Sequence, residues 1–91
     1  MEFEFEFDPA KSQANKSKHG IDFVEAQELW KDQRVLIFPT EFESERRWYA
    51  VGLYRDRCWT VIFTRRDKTM RLISVRRSRK NEVELYQENH S

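Results

Sequence analysis

Residues 46–77 contain three runs rich in aromatic and β-branched residues, Arg46–Tyr54, Arg57–Arg66 and Met70–Arg77, separated by two short polar breaks. Breaks this short join only antiparallel neighbours, so the runs predict a β-meander. Arg55-Asp56 has the length of a two-residue hairpin loop, although it lacks the favoured Asn-Gly pair. Pairing Tyr54 with Arg57 sets Gly52 opposite Trp59, Ala50 opposite Val61, Trp48 opposite Phe63 and Arg46 opposite Arg65. A loop at Asp67-Lys68-Thr69 pairs Arg66 with Met70, which sets Phe63 opposite Ile73 and Val61 opposite Val75. Both registers place the same residues on one apolar face, with Trp48 and Trp59 in the core.

The flanking segments supply the other layer. Glu2 to Phe7 alternates acid and Phe, the pattern of a strand with one wet face. Asp8-Pro9 opens a helix that runs to His19, with Gly20 as its stop. Ala10 and Ala14 are its expected packing face, while Lys11, Asn15 and Lys18 share another. Asp22 and Glu25 form a capping box for a second helix reaching Lys31, with Phe23, Ala26, Leu29 and Trp30 as its apolar stripe. Arg34–Phe38 reads as a strand ended by Pro39, and Glu41–Glu45 as an acidic connection. Ser78–Glu88 fits a last helix. The order strand, helix, helix, four antiparallel strands, helix predicts an α+β fold with its helices packed on one face of the sheet.

Ninety-one residues make a single domain, spanning 1–91. No apolar run has the ~20 residues of a membrane span. The start lacks the basic-then-apolar pattern of a signal peptide, and Cys58 has no partner for an internal disulfide, so a reducing cytoplasm is expected. Two glycines exclude a P-loop, a dinucleotide-binding GxGxxG and a GxSxG elbow. Cys58, His19 and His90 have no metal-ligand spacing, and neither a metal nor a cofactor is expected.

Charge is strongly segregated. Arg46 to Lys80 holds twelve Lys/Arg against Asp56 and Asp67, while residues 1–45 carry a net −6 and residues 81–91 a net −3. The near-neutral total therefore conceals a surface suited to a polyanion. The registers divide it. Arg46, Arg65 and Arg71 fall on the core side at one end of three strands, with Arg47 and Arg66 at that end on the opposite face. Arg76, Arg77, Arg79 and Lys80 mark the other end, roughly 20 Å away at ~3.3 Å per residue. A single surface Arg is more often a solvated charge than a ligand. Twelve bases interleaved with Trp48, Tyr49, Tyr54 and Trp59 instead resemble a surface that grips phosphates. His19, in a helix's last turn, is by itself read as a cation favoured by the helix dipole. Ser74 is the serine expected to face a ligand, on the side away from the core.

Phe7-Asp8-Pro9-Ala10-Lys11, Asn15, Lys18-His19-Gly20, Phe23 and Ala26 resemble the start of the BrnT toxins. Glu45-Arg46, Gly52, Val61-Ile62-Phe63-Thr64, Arg71-Leu72-Ile73-Ser74-Val75-Arg76-Arg77, Glu82 and Tyr86 continue the resemblance over nearly the whole chain. Two departures are Arg65, where relatives commonly carry an acid, and a longer N-terminal strand.

The resemblance implies a toxin of a type II toxin–antitoxin pair with a RelE/ParE-like fold. Its activity would be metal-independent endoribonucleolytic cleavage that halts translation. The implied partners are RNA and a BrnA-like ribbon-helix-helix antitoxin, which would contact operator DNA and allow a heterotetramer of two toxins and two antitoxins. No membrane partner is implied. Metal-free RNA cleavage needs a deprotonated 2′-hydroxyl, a stabilised phosphorane and a protonated 5′-oxygen. Arg65, Arg66, Arg76 and Arg77 are the candidates for charge stabilisation. His19, Lys18 and Tyr86 are candidates for proton transfer, with Glu45 a weaker one. Lys11, Lys18, Arg46, Arg47, Arg71, Arg79 and Lys80 are the expected RNA contacts. The competing reading is a non-catalytic module that binds RNA, DNA or the antitoxin through the same basic sheet.

Overall fold

The computed structural model of the chain describes residues 4–42 and 45–89, with residues 41, 42 and 45 as backbone only. Five strands form one mixed sheet in the order β1-β5-β4-β3-β2: β1 (Glu4–Glu6), β2 (Leu36–Phe42), β3 (Glu45–Tyr54), β4 (Arg57–Arg66) and β5 (Thr69–Arg77). β1 runs parallel to β5, and β2 to β5 form the antiparallel meander. The helices are α1 (Pro9–His19), α2 (Phe23–Ala26) and α3 (Lys80–Glu88), with a 3-10 helix over Gln27–Lys31 directly after α2.

Local signals set the boundaries of α1. The Asp8 carboxylate accepts from the Ala10 N–H at 2.8 Å, Pro9 occupies the first turn, and Gly20 ends the helix at φ 82°. The capping box of α2 is complete: Asp22 accepts from the Glu25 N–H at 2.7 Å and Glu25 from the Asp22 N–H at 3.0 Å. The expected helix reaching Lys31 nonetheless becomes one α turn followed by a 3-10 segment. The tighter winding carries Leu29 into the core and leads to Asp32 at the edge of β3.

The packing face of α1 differs from expectation. Ala10 and Ala14 are exposed, whereas Ser12 and Asn15 are buried. Both polar side chains serve backbone groups. Ser12 Oγ accepts from the Phe23 N–H at 2.9 Å. Asn15 Nδ2 donates to the Ile21 and Val75 carbonyls at 2.8 and 2.9 Å, and its Oδ1 accepts from the Val75 N–H at 3.3 Å. Burial satisfied in this way stitches α1 to β5.

Phe23, Ala26 and Leu29 pack on Ala50, Trp59, Val61, Phe63, Leu72 and Val75. A fully buried residue of Phe63 size contributes ~2–3 kcal/mol from its apolar area. Phe5 and Phe7 turn inward, and Phe5, Trp30 and Phe63 form a chain of edge-to-face contacts at 5.0 and 5.3 Å. Trp59 is core as expected, while Trp48 is half-buried at its margin.

Three further expectations need correction. Pro39 does not end its strand; β2 continues to Phe42, because an edge strand tolerates a residue without an N–H. The turn after β4 has two residues, since Arg66 pairs with Thr69. A bulge at Ile73 absorbs the difference: Phe63 faces Leu72, while Val61 still faces Val75. Below the bulge Met70 and Leu72 are therefore the buried residues, and Arg71 points from the opposite face. Finally, the helices do not share one face. Thr60 alternates with the core residues Trp59 and Val61, and it meets Glu82 of α3 at 3.0 Å on the side away from α1 and α2.

Candidate nucleic-acid interface

Among the described residues, the face of the sheet away from α1 and α2, here the outer face, is covered at one end by α3 and is otherwise open. Strand alternation assigns to it Arg47, Tyr49, Ile62, Thr64, Arg66, Arg71, Ser74 and Arg76. Phe38 of β2 joins Tyr49 there, with ring centroids 5.6 Å apart. The aromatic and basic side chains thus share one surface. Ser74 lies on it as expected, half-buried opposite Ile62.

Arg76 is firmly held on this face. Its two terminal nitrogens donate to the two Glu82 oxygens at 2.8 Å each, a parallel pair of charge-assisted hydrogen bonds. Glu82 Oε1 also accepts from Thr60 Oγ1 at 3.0 Å and from the Arg79 N–H at 2.7 Å. Burial opposes ionisation of Glu82, but hydrogen bonds from Arg76, Arg79 and Thr60 outweigh it and hold the carboxyl at about 2. The Glu82 hydrogen bond chiefly raises the Arg76 pKa, with a smaller contribution from the adjacent Tyr49 hydroxyl. The Arg76 guanidinium lies 5.8 Å from the Tyr49 ring centroid. At the far end of this face Arg71 approaches Glu6 at 3.7 Å, so the acidic N-terminal strand does temper the basic surface.

The candidate site residues do not converge. Arg66, Arg76, Arg47 and Arg71 lie on the outer face. Arg65 is on the core side, 5.1 Å above the Trp48 ring, and alternation puts exposed Arg46 on the same side. Arg77 is also on the core side, 5.6 Å above the Trp59 ring. Arg79 and Lys80 are exposed at the start of α3, and Lys11 and Lys18 are exposed on α1. Glu45, the weaker base candidate, falls outside the described side chains.

Tyr86 belongs to a different structure. Its hydroxyl donates to Asp32 Oδ2 at 2.5 Å, and the same oxygen accepts from the Leu53 N–H at 3.0 Å. Burial and the Asp32 carboxylate push the phenol up to about 12. The pair clasps α3 to the edge of β3, where Gly52 leaves room: a Cβ there would sit 3.4 Å from Asp32 Oδ2.

His19 opens into a pocket of about 280 Å³ at the end of α1, shared with Lys16, Gly20, Glu25, Tyr54, Arg55, Arg57 and Trp59. Lys16 pairs with Glu25 at 2.7 Å. This pocket is on the α1 side of the sheet and does not include Arg76 or Tyr49. The sequence pattern marked Tyr49 only as one of the aromatics interleaved with the bases and gave Lys16, Arg55 and Arg57 no individual binding role. The alternation of β3 could have placed Tyr49 with Arg76. The pocket could not be anticipated, because it joins α1 to a hairpin more than thirty residues away. Among the described residues no group of three His, Cys, Asp or Glu is disposed to hold a metal ion, and no helix is long and apolar enough to cross a membrane.

Such a fold, with cations and aromatics on an open sheet face, defines a small α+β protein suited to a nucleic-acid backbone. The family model described as ribonuclease toxin, BrnT, of type II toxin–antitoxin system matches residues 7–82. The chain belongs to this family of ribonuclease toxins, whose type II systems supply a protein antitoxin as partner. Comparison with curated proteins finds no match.

Proposed function

We propose that this chain is a metal-independent endoribonuclease that cleaves RNA on the outer face of its sheet and so halts translation. The observation that carries the reading is the Glu82–Arg76–Tyr49 arrangement, with Arg47, Arg66 and Arg71 farther along the open part of the same face. Family membership and the order strand, helix, helix, meander, helix support a RelE-like arrangement.

Arg76 is pre-oriented, so its remaining N–H donors stabilise phosphorane charge without reorganising as it develops. The Tyr49 hydroxyl beside it is the group that exchanges protons with the reacting oxygens. Attack of the 2′-oxygen on phosphorus expels the 5′-oxygen and leaves a 2′,3′-cyclic phosphate and a 5′-hydroxyl. Arg66, Arg71 and Arg47 hold flanking phosphates. A BrnA-like ribbon-helix-helix antitoxin neutralises the enzyme by covering this surface, in a complex that binds operator DNA.

The test is cleavage of a defined RNA by purified protein in EDTA. Arg76→Lys and Tyr49→Phe are each expected to lower the rate ~10²-fold or more, the usual effect of removing one charge-stabilising or proton-transferring group. Full activity in both variants would remove this face as the site of cleavage.

A further inference from the structure

We propose that the pocket between the end of α1 and the β3–β4 hairpin is a second RNA-backbone site, holding a phosphate of the strand beyond the point of cleavage. The proposal rests on the ribonuclease reading and names a further contact of the same substrate.

The pocket is cationic. Lys16, Arg55 and Arg57 line it with His19, against Glu25 as the one lining acid. Glu25 is already engaged: it pairs with Lys16 at 2.7 Å, accepts from the Asp22 N–H at 3.0 Å and lies 3.5 Å from the Tyr54 hydroxyl. These donors occupy its oxygens, and the Lys16 hydrogen bond chiefly, with a smaller effect of the Arg55 charge, holds the carboxyl below the usual carboxylate range. Among the described residues neither Arg55 nor Arg57 makes an ion pair. Guanidiniums with no carboxylate at ion-pair distance among the described residues, set around a concave space, suit the planar bidentate capture of phosphate.

The hairpin itself favours a ligand role for Arg55. Arg55 and Asp56 have φ 53° and φ 63°, the left-handed backbone that Asn-Gly adopts with less strain. The turn carries instead an arginine beside the pocket, its guanidinium 5.3 Å from the Tyr54 ring centroid.

The position also fits a continuous strand. Trp59 pairs with Arg77 on the core side, and the next pair, Thr60 with Arg76, presents Arg76 on the outer face. Arg77 stands over Trp59, which lines the pocket. Arg77 thus extends the line of cations from the pocket to this end of β5, just before α3 begins at Lys80.

The test compares non-cleavable 2′-O-methyl RNAs, a trinucleotide and a strand of ~10 nucleotides, the span of a typical single-strand site. Binding is read by fluorescence anisotropy over a salt series with the full chain. Arg57→Gln combined with His19→Gln is expected to weaken the long strand ~10-fold and reduce its salt slope by about one. The trinucleotide is expected to bind unchanged, and Arg57→Lys to restore the slope. Equal losses for both lengths, or no loss for either, overturn the proposal. So does displacement by poly-glutamate with no response to the long RNA, which would assign the pocket to an acidic protein segment. If the long strand shows the expected dependence but wild-type protein cleaves no RNA, the cleavage reading fails and the pocket stands.

Discussion

Arg76 and Glu82 face each other between β5 and α3 through two parallel hydrogen bonds of 2.8 Å, with side chains only 17% and 5% exposed. The pair does two things at once. It fixes α3 on the outer face, and it aims an arginine across the open part of that face toward Tyr49. An ion pair so buried stabilises only while every oxygen is satisfied, and Thr60 and the Arg79 N–H complete the set.

The pair makes stability depend on acid. Glu82 ionises at about 2 when folded, against 4.5 as the ordinary value. Its contribution is therefore present above pH ~4.5, is lost as pH falls toward 2, and amounts to about 3 kcal/mol at full extent. Denaturant unfolding between these limits is expected to show that loss in wild type. Glu82→Gln is expected to be less stable at neutral pH and flatter over the same range. Parallel pH profiles for the two proteins would separate Glu82 from acid stability.

Asn15 answers a different need. Its amide serves three backbone groups in the loop before α2 and in β5 while only 8% exposed. Asn15→Ala leaves these groups without partners and is expected to cost ~2–4 kcal/mol, read from the shift in denaturant midpoint. A change below ~0.5 kcal/mol would show that water replaces the side chain.

The β3–β4 turn is predicted to yield to redesign. Replacing Arg55→Asn with Asp56→Gly relieves two left-handed non-glycine residues and is expected to add ~1–2 kcal/mol of stability. Binding of the long RNA should weaken in the same variant, because Arg55 leaves the pocket. A more stable hairpin with undiminished RNA affinity would reduce Arg55 to a surface charge.

Tyr86 was a candidate proton carrier, and its placement argues for a structural role. Tyr86→Phe removes the hydrogen bond to Asp32 and is expected to cost ~1 kcal/mol or more while leaving RNA cleavage within a few-fold of wild type. In an alkaline titration of wild type, one phenol is expected to ionise only at about 12. That raised value links stability to base: it is full below pH 10 and declines as pH rises toward 12. Loss of cleavage without loss of stability in Tyr86→Phe would restore it to the site.

Much of the fold was legible. α1 begins and ends where Asp8, Pro9 and Gly20 signal, and the β3–β4 register follows from Tyr54 facing Arg57. Even without Asn-Gly the hairpin closes in the expected frame, because a slip would turn Ala50, Trp59, Val61 and Phe63 away from the core. The bulge was not legible, since a turn shortened by one residue and a bulge five residues later leave Val61 opposite Val75 either way. That hidden shift moved Arg71 from one face to the other.

The candidate site was legible as a list of residue types and as a concentration of charge, but not as places. Sequence by itself determined the local elements, the alternating apolar face and the segregation of twelve bases into residues 46–80, because these depend on neighbours a few positions apart. Only the tertiary structure decided that α3 crosses to the outer face, that Glu82 claims Arg76, and that His19 meets Arg57 in a pocket separate from Arg76. Those outcomes turn on which polar group finds a partner once β5, α1, α3 and the hairpin are packed together, and such pairing is settled in three dimensions.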